Sequence, residues 1–297
     1  MMRTLIFKLL RLSRLPFIFR ELLQRNKVSI LLFHDLDKEK AEEIFRYLSG
    51  KYNLIHLNDF IQACQNKDLS GIPKKALIIT FDDGHIGNYE MLPVIREFNI
   101  PVTIFLCASI IDTNRHFWFN FKQSSFSSLE LKHQSNKERL EALSTVGFEQ
   151  DKEFDNPEAM TREQILEMKE MVNMQAHTLF HPCLPRCNEE EAREEILGSK
   201  EKLENEYALT INTIAYPNGD YSDRDIRLSR EAGYTHGVTV DAGFNTIHTD
   251  PFKLKRLSMN DSCTMDELIV KASGVWAFFA PDRRKKNNFG WTNNVEQ

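Results

Sequence analysis

Three short polar stretches follow apolar, strand-like runs and carry the side chains best suited to chemistry. Asp82 and Asp83 come directly after the run ALIITF, and His177 and His181 follow the run VNMQA. The third stretch, YPNG at residues 216–219, follows INTIA. Because the carboxyl ends of parallel strands meet at one edge of a sheet, where reactive groups are usually found, we expect these stretches to lie together.

The two aspartates and two histidines are the residue types of a catalytic metal site. Adjacent carboxylates after a buried strand are unfavourable unless a cation compensates their charge. A single helical turn would place His177 and His181, four residues apart, on one face. Two histidines and one carboxylate form a zinc-type site with open positions for water and substrate. Asp-Asp-Gly is also common in turns, so this interpretation depends on Asp82, Asp83, His177 and His181 occurring together.

Composition excludes several other classes of protein. Lys and Arg total 38 and Asp and Glu total 43, a net charge of −5. This near balance argues against a basic nucleic-acid-binding domain. The apolar fraction of 41% and charged fraction of 27% are ordinary for a globular chain. The five cysteines lack the spacing of a disulfide framework, so we expect free thiols in a reducing compartment.

Strand-like runs alternate with helical patterns, which predicts an α/β protein with a mostly parallel sheet covered by helices. Strands are predicted at residues 29–33, 54–57, 76–81, 101–107, 172–176, 211–216 and 237–240. Helices are predicted at residues 38–48, 59–64, 89–98, 162–171, 188–207, 223–232 and 266–272. The continuous apolar character of the strands is typical of burial on both faces of a sheet.

This pattern divides the chain into three segments. Residues 1–27 form a basic amphipathic segment, residues 28–281 the domain that carries the candidate site, and residues 282–297 a polar tail. Residues 115–160 interrupt the alternation of strands and helices, and we interpret them as an insertion or lid.

The N-terminal segment has two open interpretations. Five basic residues precede the first acid, Glu21, and they recur too often for a signal peptide or a spanning helix. We therefore expect a cytoplasmic location. The segment is either a helix packed on its own domain or a basic amphipathic helix. In the second case, residues 1–22 would contact an anionic membrane surface at the inner face.

The motifs resemble those of a known enzyme family. The sequences TFDDG at residues 80–84 and HTLFH at residues 177–181 resemble the first two motifs of the polysaccharide deacetylases, the NodB homology domain of carbohydrate esterase family four. The sequence AYPNG at residues 215–219 resembles the third motif. The sequence ILLFH at residues 30–34 resembles the opening strand of the bacterial glycan-cluster members. The similarity covers about residues 28–260.

The resemblance implies a distorted (β/α) barrel and a metal-dependent deacetylase. The enzyme would remove N-acetyl groups from an N-acetylated sugar of a bacterial polysaccharide or glycan precursor and release acetate. Asp83, His177 and His181 would bind one divalent metal ion of the zinc type, and Asp82 would be the general base.

The resemblance also gives supporting roles to the neighbouring residues. Thr178 would support the histidine pair. The acetyl group and the oxyanion would be bound by a short segment that contains Tyr216, Pro217, Asn218 and Gly219.

The sequence departs from the family pattern in two places. The third motif commonly has an arginine that orients the base, where this chain has Ala215; the glycan-cluster subgroup often lacks it too. The last motif has a histidine that acts as general acid, where this chain has Asn260, which cannot deliver a proton. The identity of the general acid therefore stays open between metal-bound water and four histidines: His34, His85, His236 and His248. Of these, His34 and His236 lie at or beside predicted strand ends.

Two other functions stay open. One is a metal-dependent amide hydrolase that acts on a non-glycan substrate. The other is a glycan-binding pseudoenzyme, which Asn260 suggests. The complete set of Asp82, Asp83, His177 and His181 favours the enzyme, because a pseudoenzyme would have no use for all four.

Overall fold

The computed structural model describes residues 2–121 and 126–279 and contains one sheet of eight parallel strands. The predicted polar tail at residues 282–297 lies outside the described residues. The strands are β1 Ser29–Phe33, β2 Asn53–Leu54, β3 Ala76–Phe81, β4 Val102–Leu106, β5 Val172–Ala176, β6 Thr213–Ala215, β7 His236–Val238 and β8 Leu257–Ser258. Their order is β7-β6-β5-β4-β3-β1-β8, with β2 beside β3. The prediction of a mostly parallel sheet is confirmed.

Thirteen α-helices precede, connect and follow the strands in the described part of the chain. The first seven are α1 Met2–Leu12, α2 Leu15–Ile18, α3 Lys38–Ser49, α4 Leu57–Gln65, α5 Gly87–Glu90, α6 Leu92–Phe98 and α7 Ser128–His133. The others are α8 Asn136–Ser144, α9 Arg162–Met168, α10 Glu189–Tyr207, α11 Asp223–Glu231, α12 Met265–Ala272 and α13 Val275–Phe279. None of the helices in these residues is long and apolar enough to cross a membrane.

The central strands are buried on both faces, as their apolar runs indicate. Every residue of β1 and β3 is buried. Leu31 and Phe33 of β1 belong to the large apolar cluster that includes residues of α3, α6 and α10. Ile30 belongs to a smaller cluster with Phe60 of α4. Alternate side chains of one strand therefore enter different clusters, which fixes the strand's register.

Several predicted elements have shifted bounds, and two differ more clearly from the observed ones. The predicted strand at residues 54–57 is wrong beyond Leu54, because α4 begins at Leu57. The N–H of His56 donates to the Asp59 carboxylate, and this capping interaction favours the start of a helix there. The predicted helix at residues 89–98 is divided into α5 and α6 at Met91.

The predicted insertion is a small packed unit in its described part. Its apolar cluster contains Trp118, Leu131 of α7, Leu143 of α8 and Phe148. The indole N–H of Trp118 donates to the backbone oxygen of His181 at 2.8 Å. The insertion is thus attached to the segment that carries the histidine pair.

The first helix packs on the domain along one side. Phe7 of α1 is buried against Val270 of α12 and Val275 of α13. Arg3 pairs with Glu267 at 2.6 Å, and a second arginine of α1, at position 11, pairs with Asp266 at 2.5 Å. One side of α1 therefore makes apolar and ionic contacts with its own domain.

Candidate active site

The three polar stretches meet at the carboxyl edge of the sheet, as expected. They surround a cavity of about 380 Å³. Ser128 and Lys132 of α7 also line it, so the insertion forms one of its walls. The polar side chains on the other walls follow β1, β3, β5 and β6 or belong to β8: His34, Asp82, Asp83, His177, His181, Asn218 and Ser258.

Asp83, His177 and His181 form a buried group whose ligand atoms lie within 4.8 Å of one another. Asp83 Oδ1 lies 3.3 Å from His177 Nε2 and 3.5 Å from His181 Nε2. The three residues are between 1% and 5% exposed. The structure therefore brings together the three residues that the resemblance implies as metal ligands.

The chemistry of this group fits a bound cation. His177 Nδ1 donates its hydrogen to the Ala215 carbonyl oxygen at 2.8 Å, so the lone pair of neutral His177 is on Nε2, which faces Asp83 Oδ1. Asp83 Oδ1 has no hydrogen-bond donor among the described residues. A lone pair and a carboxylate oxygen at this distance repel each other unless a proton or a metal ion lies between them. Three such donors with open positions suit a divalent ion.

Charge and burial set the protonation states of these ligands. Burial alone would raise the pKa of Asp83, but its interactions with the imidazoles of His177, His181 and His85 outweigh this and hold the pKa well below its usual range. Burial lowers the pKa of His181 to about 3, although the nearby carboxylate opposes this change. An ionised carboxylate and a neutral imidazole are the forms that bind metals.

Asp82 is held by an arginine that the sequence reasoning missed. Arg256, directly before β8, donates from its two terminal nitrogens to the two carboxylate oxygens of Asp82, both at 2.7 Å. Both side chains are buried, and Arg256 Nε also donates to the Thr239 carbonyl oxygen. Burial raises the pKa of Asp82, but the charge of Arg256 outweighs this and lowers it. Asp82 is therefore ionised and fixed in orientation.

Arg256 thus makes with Asp82 the kind of contact that the resemblance assigns to an arginine at the position of Ala215. The only sequence signal was an arginine in the stretch FKLKRLSM at residues 252–259, half of which is apolar. An arginine that is completely buried needs a partner of opposite charge. That requirement could have directed attention to Asp82.

The histidine pair lies on a tight turn, so a helical turn is not what brings His177 and His181 together. The backbone is left-handed at Thr178, with φ 65°, and at His181, with φ 57°. The N–H groups of residues 179 and 180 both donate to Glu195 Oε2 of α10 at 2.9 Å. The His181 N–H donates to Thr178 Oγ1 at 3.1 Å. Side-chain oxygens thus replace the carbonyl acceptors of a helix.

Only two residues of the third stretch, residues 216–219, line the cavity. Asn218 and Gly219 line the cavity, whereas Tyr216 and Pro217 are buried and do not line it. Gly219 has φ +72°, and a Cβ there would lie 2.3 Å from a methyl carbon of Val240. Glycine is therefore required where this segment passes the cavity wall.

The structure separates the four histidines considered as general acid. His34 lines the cavity, and its Nδ1 lies 3.7 Å from Asp261 Oδ2. The register of β1 and β8 places Leu32 opposite Ser258, which puts His34 level with Asn260.

His85 donates from Nε2 to Asp83 Oδ2 at 3.2 Å, so it supports the candidate ligand. His236 is the first residue of β7, so it lies at the amino edge of the sheet, and the expectation that it belongs to the site is wrong. It lines a separate cavity of about 240 Å³, where burial lowers its pKa to about 4. His248 is exposed and lines neither cavity.

Comparisons with known sequences point to one family. A family model described as polysaccharide deacetylase matches residues 70–237. YxkH of Bacillus subtilis, whose name assigns it to the polysaccharide deacetylases, is 22% identical over 246 residues, 79% of this chain and 72% of that protein. The poly-β-1,6-N-acetyl-D-glucosamine N-deacetylase of Staphylococcus epidermidis is 21% identical over 234 residues, 76% of this chain and 68% of that protein.

Solved structures show the same fold. The deacetylase PplD of Streptococcus pyogenes, in complex with acetate, matches with a TM-score of 0.61 and 19% identity over 84% of this chain and 99% of that chain. A polysaccharide deacetylase from Bacillus cereus matches with a TM-score of 0.59 and 19% identity over 84% of this chain and 69% of that chain. The predicted distorted (β/α) barrel is confirmed. Since the family model matches more than half of the residues, the chain belongs to the polysaccharide deacetylase family.

Proposed function

We propose that this protein hydrolyses the amide bond of an N-acetylated amino sugar in a bacterial polysaccharide or glycan precursor, releasing acetate. The observation that carries the proposal is one cavity in which the Asp82–Arg256 pair lies beside Asp83, His177 and His181. A base and a metal-binding group together are what hydrolysis of an unreactive amide requires. The activity named for the Staphylococcus epidermidis relative supports a glycan substrate.

Asp83, His177 and His181 would hold one divalent ion, for which zinc suits the two imidazoles and one carboxylate. When bound, the ion would polarise the acetyl carbonyl and lower the pKa of the attacking water towards about 7.

Asp82 would accept the proton of the attacking water. Arg256 keeps its carboxylate ionised and, by binding both oxygens, prevents it from rotating. Asp82 Oδ2 lies 3.8 Å from His177 Nε2, so the base is next to the metal-binding group.

A backbone N–H beside the cavity would bind the developing oxyanion. In the segment of residues 216–219, the N–H groups of Tyr216 and Gly219 donate to backbone oxygens, and Pro217 has none. We assign this role to the Asn218 N–H, the donor that remains in the segment. Such a donor stabilises charge that develops only in the transition state.

His34 would protonate the leaving amine. It lines the same cavity as Asp82 and lies level with Asn260, the position of the missing family histidine. Asp261 lies beside its imidazole and accepts a hydrogen bond from its backbone N–H at 3.0 Å.

The deciding experiment measures acetate release by metal-loaded protein from a panel of N-acetyl glycans, with elemental analysis of each variant. Asp82→Asn should retain the metal and lose about 10²–10⁴-fold in kcat, the usual effect of general acid–base catalysis. Asp83→Asn should lose the metal as well. Equal acetate release by wild type and Asp82→Asn, with sugar binding retained, would favour the pseudoenzyme. Release from N-acetyl peptides alone would favour a non-glycan amide hydrolase.

The pH profile of kcat tests the acid, with His236→Ala as the matched control. Loss of the proton from a general acid lowers kcat at high pH, so His34→Gln should remove this basic limb. His236→Ala should leave the profile unchanged, because His236 lies at the other edge of the sheet. An unchanged profile in His34→Gln would exclude His34 and favour water as the proton source.

A further inference from the structure

Exposed apolar side chains are concentrated at the N-terminus. Among the residues that the structure describes, nine large apolar side chains are more than half exposed, and six of these lie within residues 2–22. We call these six the N-terminal apolar face: Met2, Leu5, Leu9, Leu12, Phe17 and Leu22. Large exposed apolar side chains concentrated in one segment in this way usually mark an interaction site.

Helix α1 is apolar on two sides, and its own domain covers only one of them. Phe7 is buried against α12 and α13, and Arg3 pairs on the same side with Glu267. Leu5 and Leu9 are 56% and 59% exposed and, with the other members of the face in α1, follow helical spacing. A helix that is apolar on opposite sides is expected to be covered on both.

The charge of the same segment indicates what covers the second side. Residues 2–27 carry seven basic residues and one acidic residue, a net charge of +6. The rest of the chain carries 31 basic and 42 acidic residues, a net charge of −11. Lys8, Arg14 and Arg25 are exposed and have no acidic partner among the described residues.

These charges favour an anionic surface over a second copy of the chain. A symmetric dimer through the N-terminal apolar face would bring two segments of charge +6 together. A bilayer with anionic headgroups offers both an apolar interior for the leucines and negative charge for the basic side chains.

We propose that the N-terminal apolar face seats the protein on the surface of an anionic lipid bilayer. The apolar side chains enter the interfacial region, while Lys8, Arg14 and Arg25 lie near the headgroups. The contact does not cross the bilayer, and it is independent of the chemistry at the deacetylase site.

The test uses the full chain and co-sedimentation with vesicles of phosphatidylcholine, with and without phosphatidylglycerol. The wild type should bind the phosphatidylglycerol vesicles at low salt and less strongly at high salt, because salt screens the attraction. The double variant Leu5→Glu/Leu9→Glu should bind at least about tenfold more weakly, since it loses apolar area and gains negative charge. Lys8→Gln should weaken binding about fivefold.

The matched control is Leu129→Glu/Leu166→Glu, which adds the same charge at exposed leucines outside the face. It should bind vesicles as the wild type does, and circular dichroism should show that both double variants are folded. The proposal is overturned if the wild type does not bind, or if Leu5→Glu/Leu9→Glu binds as strongly as the wild type. If the wild type does not bind vesicles but forms a dimer, and Leu5→Glu/Leu9→Glu dissociates that dimer, the N-terminal apolar face contacts a second copy of the chain instead.

Discussion

Asp82 and Arg256 are a buried ion pair whose members are 174 positions apart in the chain. Arg256 is fully buried, and Asp82 is 4% exposed. Two charges in such surroundings are tolerated because each satisfies the other, and neither is tolerated alone. The pair therefore links the proposed catalytic base to the stability of the fold.

Replacement of Arg256 by leucine tests that link. We expect Arg256→Leu to lower the free energy of unfolding by about 3–5 kcal/mol, because it leaves the Asp82 carboxylate buried without a partner. The value of kcat should fall while the metal content stays unchanged, since Arg256 is not among the candidate ligands. Urea unfolding, acetate release and elemental analysis measure these effects.

The control for this variant is Arg227→Leu, which removes exposed ion pairs with Glu189 and Glu231. Exposed pairs contribute about 0–1 kcal/mol, so Arg227→Leu should be nearly as stable as the wild type. Equal stability of Arg256→Leu and Arg227→Leu would contradict the structural role of the buried pair.

The sequence revealed Asp82, Asp83, His177 and His181 because short motifs contain them. Arg256 was not predictable in this way, because its contact depends on β8 lying beside β1 and close to β3. The strand β8 has only two residues, Leu257 and Ser258, too few to give a recognisable apolar pattern. A contact between residues that are far apart in the chain and belong to no common motif is hard to predict from a single sequence.

At the scale of elements, helix α10 positions the turn that carries the histidine pair. Glu195 of α10 accepts two backbone hydrogen bonds from that turn and is itself buried. Burial raises the pKa of Glu195 to about 7, although the two backbone donors oppose this rise. This carboxyl group is therefore a source of pH-dependent stability.

Glu195→Gln should change how stability depends on pH. The folded-state pKa of Glu195 lies above its ordinary value of 4.5, so its favourable contribution is complete below pH 4.5 and is lost as the pH rises through about 7. Glutamine keeps an acceptor and cannot ionise. Between pH 4.5 and pH 7, we expect the free energy of unfolding of Glu195→Gln to increase by about 3 kcal/mol relative to that of the wild type.

Urea unfolding near pH 4.5 and above pH 7 measures this difference. The control is Glu194→Gln, an exposed neighbour on the same helix, whose stability relative to the wild type should stay constant. A constant difference for Glu195→Gln as well would show that burial does not raise this pKa.

Long apolar runs made the central strands predictable to the residue. The predicted ranges 29–33, 76–81 and 172–176 are those of β1, β3 and β5. Short elements with local signals were missed. Helices α7 and α8 of the insertion each begin after a serine with a glutamate three residues later, a capping signal that was available in the sequence.

At the scale of the whole molecule, the N-terminal segment is joined to the end of the domain. Phe7 is 1% exposed among residues of α12 and α13, and the buried Gln24 donates to the Ala272 carbonyl oxygen and to Ser29. We propose that residues 2–27 fold as part of the catalytic domain rather than as a separate appendage.

Phe7→Ala should therefore lower the free energy of unfolding by about 3 kcal/mol, because it leaves a cavity between helices. Phe17→Ala is the control, since Phe17 is 57% exposed and its removal leaves no cavity. Thermal unfolding of the two variants measures the contrast. Equal melting temperatures would indicate that the segment is dispensable for folding.

The position of Arg256 has a consequence for biosynthesis. The ribosome makes Asp82 long before Arg256, so the growing chain holds the carboxylate without its partner until the last strand emerges. The segment that matches the family model, residues 70–237, contains the candidate metal ligands but neither His34 nor Arg256. A nascent chain or a proteolytic fragment that ends before β8 would lack Arg256, and we expect it to be inactive because the proposed base has no partner.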